Sequence, residues 1–368
     1  MARFTVIWEG KGTENKRRVM TKQTRSTRRR YLQATGGALG AAGLTALAGC
    51  SGGGGSTESL SVAYMPIYPD MQHFVMEKEG YYDALDADVE ATEFSDGPSI
   101  VQAYATGDYD VALFGVVPAM IVIDKTGFAK VTAANIQNAM QILARDEFAA
   151  MYDEQGKDAF AAWEAEKGEK FTFGTFPPGS VPDILLRYWL EQELGLDPGS
   201  DVNIESLGGA GPVRQALAAG KIDGTSIMEP VPTIANEKGM GYSSIAWAGD
   251  FMPGQPAAVT MMHDDLRNDR PELAKSFLEQ HKKATAFTEN NPDAAAKHAS
   301  DVIGSDALPV DLARKAMDSP ASDFISNPHQ IESGTETFAA YANRLGKTST
   351  ELSVDQIFDY SLYDSVSE

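Results

Sequence analysis

The chain has 368 residues, of which 43% are hydrophobic and 23% are charged, so it can bury one large or two medium cores and is not a disordered protein. Its 31 basic and 52 acidic residues give a formal net charge of −21, which repels nucleic acid and anionic headgroups. We therefore expect no nucleic-acid partner.

The first fifty residues have the pattern of an export signal. Thr27 to Gln33 read TRRRYLQ, which matches the twin-arginine pattern. The apolar stretch that follows, Ala38 to Ala48, has the length of a signal-peptide core and is too short to span a bilayer. The signal reads naturally from Met20, so residues 1–19 are either part of the leader or a misassigned start.

Cys50 is the predicted lipidation site. It ends the sequence LAGC, which resembles a lipobox, and it is the only cysteine of the chain, which excludes disulfides and cysteine-based metal sites. Residues 51–58 read as a flexible Gly/Ser tether. Acyl chains on Cys50 would hold the folded body at the extracellular face of the membrane. We expect no metal, no cofactor and no catalytic residues.

From Leu60 onward, short apolar runs alternate with helical stretches. The first half predicts strands at Leu60 to Met65, Val89 to Phe94 and Val111 to Gly115, and helices at Met71 to Lys78, Ser99 to Ala105 and Pro118 to Thr126. The second half predicts strands at Phe171 to Thr175, Val202 to Ser206, Thr225 to Met228 and Ala257 to Met262, and helices at Val181 to Leu194, Val213 to Ala219 and beyond Pro271. This alternation favours an α/β fold with largely parallel sheets.

An internal repeat predicts two related lobes. Residues 103–110 (AYATGDYD) align without gaps on residues 216–223 (ALAAGKID). Each copy indicates the end of a helix, a glycine able to take a left-handed cap, and the entry into a strand. The shared spacing therefore favours an internal duplication.

The predicted domain boundaries follow from this repeat. The first lobe is assigned to residues 59–143 and 253–368, and the second lobe to residues 144–252. The chain is predicted to cross between the lobes near residues 142–146 and 249–255, so that the strand from Ala257 to Met262 returns to the first lobe. Residues 148–170 are rich in Ala, Glu and Lys, and we expect them to form an additional solvated helix.

The candidate ligand residues follow the carboxyl ends of the predicted strands, because ligands of open α/β sheets bind there and at helix N-termini. The candidates are Tyr64, Met65, Gln72, His73, Ser95, Gly97, Gly115, Val116, Phe176, Gly179, Ser180 and Glu229. Two of the loops combine a glycine, a hydroxyl and a helix start, so their backbone N–H groups could hold an anion. The alternative is that these residues are plain helix caps.

Several motifs together resemble a known family. They are EKEGYY at residues 77–82, GTFPPGS at 174–180, LLR at 185–187, and AAGKID at 218–223 leading to Glu229-Pro230. In this set the chain looks like the solute-binding proteins of nitrate, sulfonate and taurine importers, from about Leu60 to Tyr363.

That resemblance implies a periplasmic-binding-protein-like fold of type II, in which each lobe is a mixed, mainly parallel sheet flanked by helices. It also implies a monomer that clamps a small molecule between its lobes and delivers it to the permease subunits of an ATP-binding-cassette importer. The dispersed acidic surface is similar to that of proteins from salt-in halophilic archaea, in which high salt screens the self-repulsion.

The chemistry of the solute stays open at this point. Glu229 suits an amine-bearing or amide-bearing solute, such as taurine or a pyrimidine, and opposes a bare anion such as nitrate; alternatively it has a structural role. Phe176, Tyr64 and Phe94 offer faces for a flat ring or an alkyl chain. We expect a small organic solute, sulfonate-like or thiamine-precursor-like. One alternative is a binder of nitrate or another anion. The enzyme alternative is a pyrimidine synthase of thiamine biosynthesis, but the cysteine cluster of those enzymes is absent.

Overall fold

The computed structural model describes residues 58–366. The predicted export signal, the lipidation site at Cys50 and residues 51–57 of the tether lie outside the described residues. The strands are β1 (Glu58–Tyr64), β2 (Ala87–Glu93), β3 (Val111–Gly115), β4 (Ala129–Gln137), β5 (Met140–Arg145), β6 (Thr172–Thr175), β7 (Asn203–Ser206), β8 (Gly224–Met228), β9 (Tyr242–Trp247), β10 (Pro256–His263) and β11 (Asp323–Phe324).

The helices fill the connections and cover the sheets. The first eight are α1 (Met71–Lys78), α2 (Gly97–Tyr104), α3 (Val116–Thr126), α4 (Asp146–Gln155), α5 (Ala159–Lys167), α6 (Val181–Tyr188), α7 (Ala210–Ala218) and α8 (Val231–Glu237). They are followed by α9 (Ala248–Phe251), α10 (Asp264–Asp269), α11 (Pro271–Asn290), α12 (Pro292–Ile303), α13 (Val310–Ala316), α14 (Glu332–Arg344), α15 (Val354–Ile357) and α16 (Ser361–Ser365). Among residues 58–366, none of these helices combines the length and apolar character needed to cross a membrane.

The strands form two mixed sheets, which confirms the α/β prediction. The first sheet has six strands in the order β11-β4-β10-β3-β1-β2, and the second has five in the order β7-β6-β8-β5-β9. In the first sheet β1 pairs in parallel with β2 and β3, and in the second β6 pairs in parallel with β7 and β8. The remaining pairings are antiparallel. The prediction that the strand from Ala257 to Met262 returns to the first lobe is confirmed, because β10 lies between β3 and β4.

The first crossing between the sheets differs from the prediction. It lies at Asn138 and Ala139, between β4 and β5, and not near residues 142–146. β5 pairs along its length with β8 and β9, so the predicted boundary between residues 143 and 144 falls inside a strand of the second sheet. The second crossing follows α9 and precedes β10, within the predicted 249–255. Glu58, assigned to the tether, begins β1.

The repeated helix–glycine–strand unit forms as predicted in both lobes. Gly107 follows α2 with φ of +79°, and Gly220 follows α7 with φ of +62°. Both values lie in the left-handed region, where a side chain would be strained. Each glycine therefore lets its helix end and turn toward the next strand, β3 or β8.

Residues 148–170 are helical as expected, but they are not merely solvated. The segment forms α4 and α5, whose inner faces bury Phe148, Phe160 and Trp163. The Phe148 ring lies 4.1 Å from that of Phe171 and 4.8 Å from that of Phe160. These aromatic rings form a separate core on the second sheet.

α14 connects the two lobes near the crossings. Gly334 packs so closely that a Cβ there would lie 2.5 Å from the carbonyl oxygen of Gly254. At its other end, Tyr341 and Arg344 donate hydrogen bonds to Glu191, in the π-helical turn that extends α6. A single helix thus contacts both a crossing and the second lobe.

Candidate ligand cleft

A cavity lies between the two lobes and contains residues from both. It encloses about 410 Å³ of space outside the atoms, and part of this space is open to solvent. The lining residues are Met65, Ile67, Pro69, Gly97, Gly115, Pro118, Ala257 and Ala258 from the first lobe, and Phe176, Ser180, Val181, Pro182 and Met228 from the second. We call this space the cleft.

The lobes are nearly closed over the cleft. The centre of a water molecule can move through only about 30 Å³ of it, which is room for a couple of waters. A Cβ at Gly115 would lie 3.2 Å from Cγ2 of Val181, so the first lobe touches the second at this point. The backbone of Gly115, with φ of −63° and ψ of 144°, is one that any residue can adopt. The absent side chain therefore serves the contact between lobes and not a turn.

Two of the three helices that begin at the cleft carry their own carboxylate. At α2, Asp96 is the N-cap and accepts a 2.8 Å hydrogen bond from the N–H of Ser99. At α6, the Ser180 hydroxyl accepts from the N–H of Asp183, and the Asp183 carboxylate accepts a 2.9 Å bond from the N–H of Gly179. These groups satisfy N–H donors that the sequence suggested for an anion. The plain-cap alternative therefore describes Ser180 and the loop before α2.

Asp183 is further held by a cation. It is 1% exposed, and its Oδ1 accepts a 2.8 Å hydrogen bond from Nε of Arg187, one turn later in the helix. The start of α6 is thus an internally compensated unit. The third helix, α3, begins after Gly115 without a side-chain cap, and Val116 is buried in its first turn, outside the cleft lining.

The structure does not bring Gln72 and His73 to the cleft. Both face the interior of the first lobe from α1 and are fully buried. Nε2 of Gln72 donates a 2.7 Å hydrogen bond to the carbonyl oxygen of Asn135. Nδ1 of His73 lies 2.7 Å from the hydroxyl of Tyr82, and burial lowers the pKa of His73 to about 3. The assignment of these two residues to the site is corrected, because α1 turns this face toward the core.

Other predicted residues lie at the edges of the cleft or outside it. Tyr64 is half-buried, and its ring packs 3.8 Å from that of His73. Ser95 is exposed, and its hydroxyl donates to Asp96. Gly179 precedes the lining residue Ser180, and a Cβ there would lie 3.2 Å from the side chain of Lys347.

Glu229 does not line the cleft, although Met228 before it does. Its carboxylate accepts 3.2 Å hydrogen bonds from Nε2 of Gln141 and from the N–H of Thr233, in the first turn of α8. Burial raises the pKa of Glu229 above its usual value, although hydrogen bonds with Ser319, Thr233 and Gln141 oppose the rise. The geometry therefore favours the structural alternative, in which Glu229 caps α8.

The sequence argument missed eight of the thirteen lining residues. Ala257 and Ala258 stand at the beginning of β10, and the strand-end rule examines only carboxyl ends. Pro69, Pro118 and Pro182 were not among the candidates either. A usable signal was present, since each of these three prolines lies in the first turn of a helix.

A second chamber adjoins the cleft through the shared residues Ile67 and Met228. It encloses about 700 Å³ and is lined by residues of both lobes, among them Tyr68, Arg214 and the backbone start of α7. Nη1 of Arg214 donates to the carbonyl oxygen of Ala307 in the first lobe. The chamber is thus crossed by a polar contact between lobes. Among residues 58–366, no cluster of three His, Cys, Asp or Glu side chains could hold a metal ion.

Known proteins share this fold. The nitrate-binding protein NrtA from Synechocystis superposes with a TM-score of 0.67 at 16% identity, covering 85% of this chain and 89% of that one. The aliphatic sulphonate binding protein SsuA from Escherichia coli superposes with a TM-score of 0.66 at 16% identity, covering 84% and 100%. The two-lobed periplasmic-binding-protein fold is confirmed by these likenesses.

Sequence comparison finds partial matches. A nitrate import ATP-binding protein from Synechocystis is 36% identical over 112 residues, which are 29% of this chain and 16% of that protein. A protein of Brucella abortus with a provisional binding-protein name is 25% identical over 223 residues, which are 60% of this chain and 63% of that one. The chain thus spans about a sixth of the first curated relative and under two thirds of the second. The model of the NMT1-like family matches residues 53–303, more than half of the chain, and the protein therefore belongs to the NMT1-like family.

Proposed function

We propose that this chain is the solute-binding protein of an ATP-binding-cassette importer, which captures a small organic solute between its lobes and delivers it to the permease subunits. One observation carries the proposal: the cleft lies where strand ends and helix starts of two separate sheets meet. Family membership and the likeness to proteins named for nitrate and sulphonate binding support it.

The arrangement explains how capture would be signalled. The cleft has room for only a couple of waters in this structure, so a solute must part the lobes and contacts both of them only when they close around it. It therefore binds that closed state more tightly than the open one. Binding therefore shifts the open–closed equilibrium by that difference in affinity. A permease that recognises the closed arrangement would then receive loaded protein in preference to empty protein.

The location of the protein is part of the same proposal. Export by the twin-arginine route, lipidation at Cys50 and attachment to the extracellular face of the membrane would place the cleft where solute arrives. The acidic composition, with a net charge of −21, suits a high-salt exterior. A monomer suffices for this role.

The proposal is tested by a variant that hinders closure without altering either lobe. Gly115→Ala adds a Cβ 3.2 Å from Val181 across the cleft, in a backbone conformation that alanine accepts. Isothermal titration with a panel of organic solutes and anions should find at least one ligand. Its affinity should fall about tenfold in Gly115→Ala, which corresponds to about 1.4 kcal/mol.

The matched control restores the space. Val181→Ala removes the methyl groups that the new Cβ meets, so the double variant should recover most of the lost affinity. Unchanged binding in Gly115→Ala would place the solute elsewhere. The absence of any ligand in the panel would count against the solute-binding role itself.

A further inference from the structure

We infer that the solute taken by the cleft is an uncharged organic molecule with an apolar body, and not a sulfonate, a nitrate or another bare anion. The inference rests on the proposed function and names the class of its ligand. It is carried by the lining of the cleft and by the groups that occupy the helix starts around it.

The lining offers nothing with which to pair a charge. It consists of proline, methionine, aliphatic and phenylalanine side chains together with two glycines, and Ser180 is its one polar side chain among the described residues. The Ser180 hydroxyl already accepts a hydrogen bond from Asp183. Moving an ion from water into such surroundings costs several kcal/mol or more unless a partner compensates it. A neutral apolar body instead gains from the transfer, at about 25 cal/mol per Å² of surface removed from water.

Two of the three helix starts at the cleft, those of α2 and α6, carry negative charge where an anion would need positive charge, and only α3 begins without a side-chain cap. Free N–H groups and the dipole make the N-terminus of a helix attractive to anions. Asp96 already occupies this position at α2, and Asp183 does so at α6, where it also takes the N–H of Gly179. A second anion would compete for satisfied donors and lie near two carboxylates. Backbone N–H groups were the only support that the sequence suggested for an anion.

The cleft does not suit a cation either, because the nearby carboxylates already accept hydrogen bonds from other groups. Asp183 is paired with Arg187, and Asp96 is turned to the backbone of Ser99. Glu229 accepts hydrogen bonds from Gln141 and Thr233 and lines the adjoining chamber instead of the cleft. An ammonium group in the cleft would therefore have to share a carboxylate with the partners that it already holds. A neutral solute needs no such partner.

The test uses probes that share one body and differ in charge. Benzamide, benzoate and benzylamine form a ring series, and hexanamide, hexanoate and hexylamine form a chain series. Nitrate and taurine complete the set, and all are titrated calorimetrically into the protein. We expect the neutral member of at least one series to bind tenfold or more tightly than both charged members, and Gly115→Ala to weaken it.

The outcomes separate the two proposals. Tighter binding of a charged member, of nitrate or of taurine, weakened by Gly115→Ala, overturns the neutral class and leaves the solute-binding role standing. If no probe binds, the neutral class fails together with the proposed function.

A charge variant tests the physical reason. Asp183→Asn keeps the shape and removes the carboxylate at α6, so benzoate should gain severalfold relative to benzamide. The matched control is Asp311→Asn, an exposed aspartate in the first turn of α13 and outside the cleft lining, which should leave that ratio unchanged. An unchanged ratio in Asp183→Asn would overturn the electrostatic argument.

Discussion

A buried polar network supports the cleft from behind. Nδ2 of Asn135 donates a 3.1 Å hydrogen bond to Asp70, while its Oδ1 lies 2.8 Å from the hydroxyl of Thr260 and 3.0 Å from Nε2 of His281. All four side chains are fully buried. Asp70 directly follows the lining residue Pro69, so the network fixes the loop that forms one wall of the cleft. Such networks are strongly position-specific, because each unpaired member would cost free energy.

Asp70 makes the stability of the protein depend on pH. Burial raises its pKa to about 8, so the folded state holds a proton that the unfolded state releases near pH 4. Its contribution to the free energy of unfolding is therefore complete at low pH and is lost as pH rises toward 8. Asp70→Asn should remove this loss, so between pH 5 and 7.5 the variant should gain on the wild type by about 1 kcal/mol per pH unit.

Urea unfolding at several pH values measures this difference. His281 does not disturb the comparison, because it is present in both proteins; burial lowers its pKa to about 3, which costs stability only as pH falls below its ordinary value. The exposed Asp153→Asn is the control and should run parallel to the wild type. A constant difference between Asp70→Asn and wild type across this range would show that Asp70 is ionised in the folded protein.

At the scale of elements, the bounds of helices and strands were predicted well where the sequence pattern changes sharply, and poorly where a long run of residues is buried. The predicted bounds of α1 and β3 are those observed, since a single change of pattern marks each end. β4 and β5 were missed because residues 129–145 are nearly continuously buried, with only Asn138 and Ala139 between the two strands. Periodicity does not separate two fully buried strands from each other.

The burial of α4 and α5 was not predicted, for a different reason. Its polar composition reads as a solvated helix, yet a few large rings decide its packing. Trp163 is 4% exposed and lies 5.6 Å from the rings of Phe148 and Phe171. Trp163→Ala should lower the free energy of unfolding by about 3–5 kcal/mol.

The neighbouring Glu164→Ala is the control for this prediction. Glu164 is exposed on the same helix, so the change should stay within about 0.5 kcal/mol. Chemical denaturation followed by circular dichroism measures both variants. Equal stability of the two variants would mean that the aromatic core is dispensable. Solute binding at temperatures where Trp163→Ala remains folded should be unchanged, because the cluster lies outside the cleft lining.

At the scale of the whole molecule, the two crossings form one hinge. Asn138 has φ of +53°, and its Oδ1 accepts hydrogen bonds from the N–H groups of Gly254 at 2.9 Å and Gln255 at 3.2 Å. Its carbonyl oxygen accepts a 2.7 Å bond from the indole of Trp247. A single side chain thus clasps both connections, a long-range relation that no local pattern in the sequence reveals. For the same reason, the hydrogen bonds of Glu229 with Gln141 and Thr233 could not be predicted from the sequence.

Asn138→Gly separates the effect of the Asn138 side-chain hydrogen bonds from the effect of the backbone turn. Glycine accepts the positive φ, so the turn survives while both side-chain hydrogen bonds are lost. We expect a looser hinge, a larger radius of gyration by small-angle X-ray scattering without solute, and compaction when a bound solute is added. Asn290→Gly, at the exposed end of α11, is the control and should scatter like the wild type. A scattering curve for Asn138→Gly identical to that of the wild type would remove Asn138 from the hinge.

The position of β10 between β3 and β4 has a consequence for folding during synthesis. The second sheet is one uninterrupted stretch of chain from β5 to β9, and it can be completed by a nascent polypeptide that has not yet reached residue 256. The first sheet cannot, because its central strand is made only after the whole second lobe. The second lobe can therefore fold before the first. Until β10 is synthesised, β3 and β4 each keep an unpaired edge.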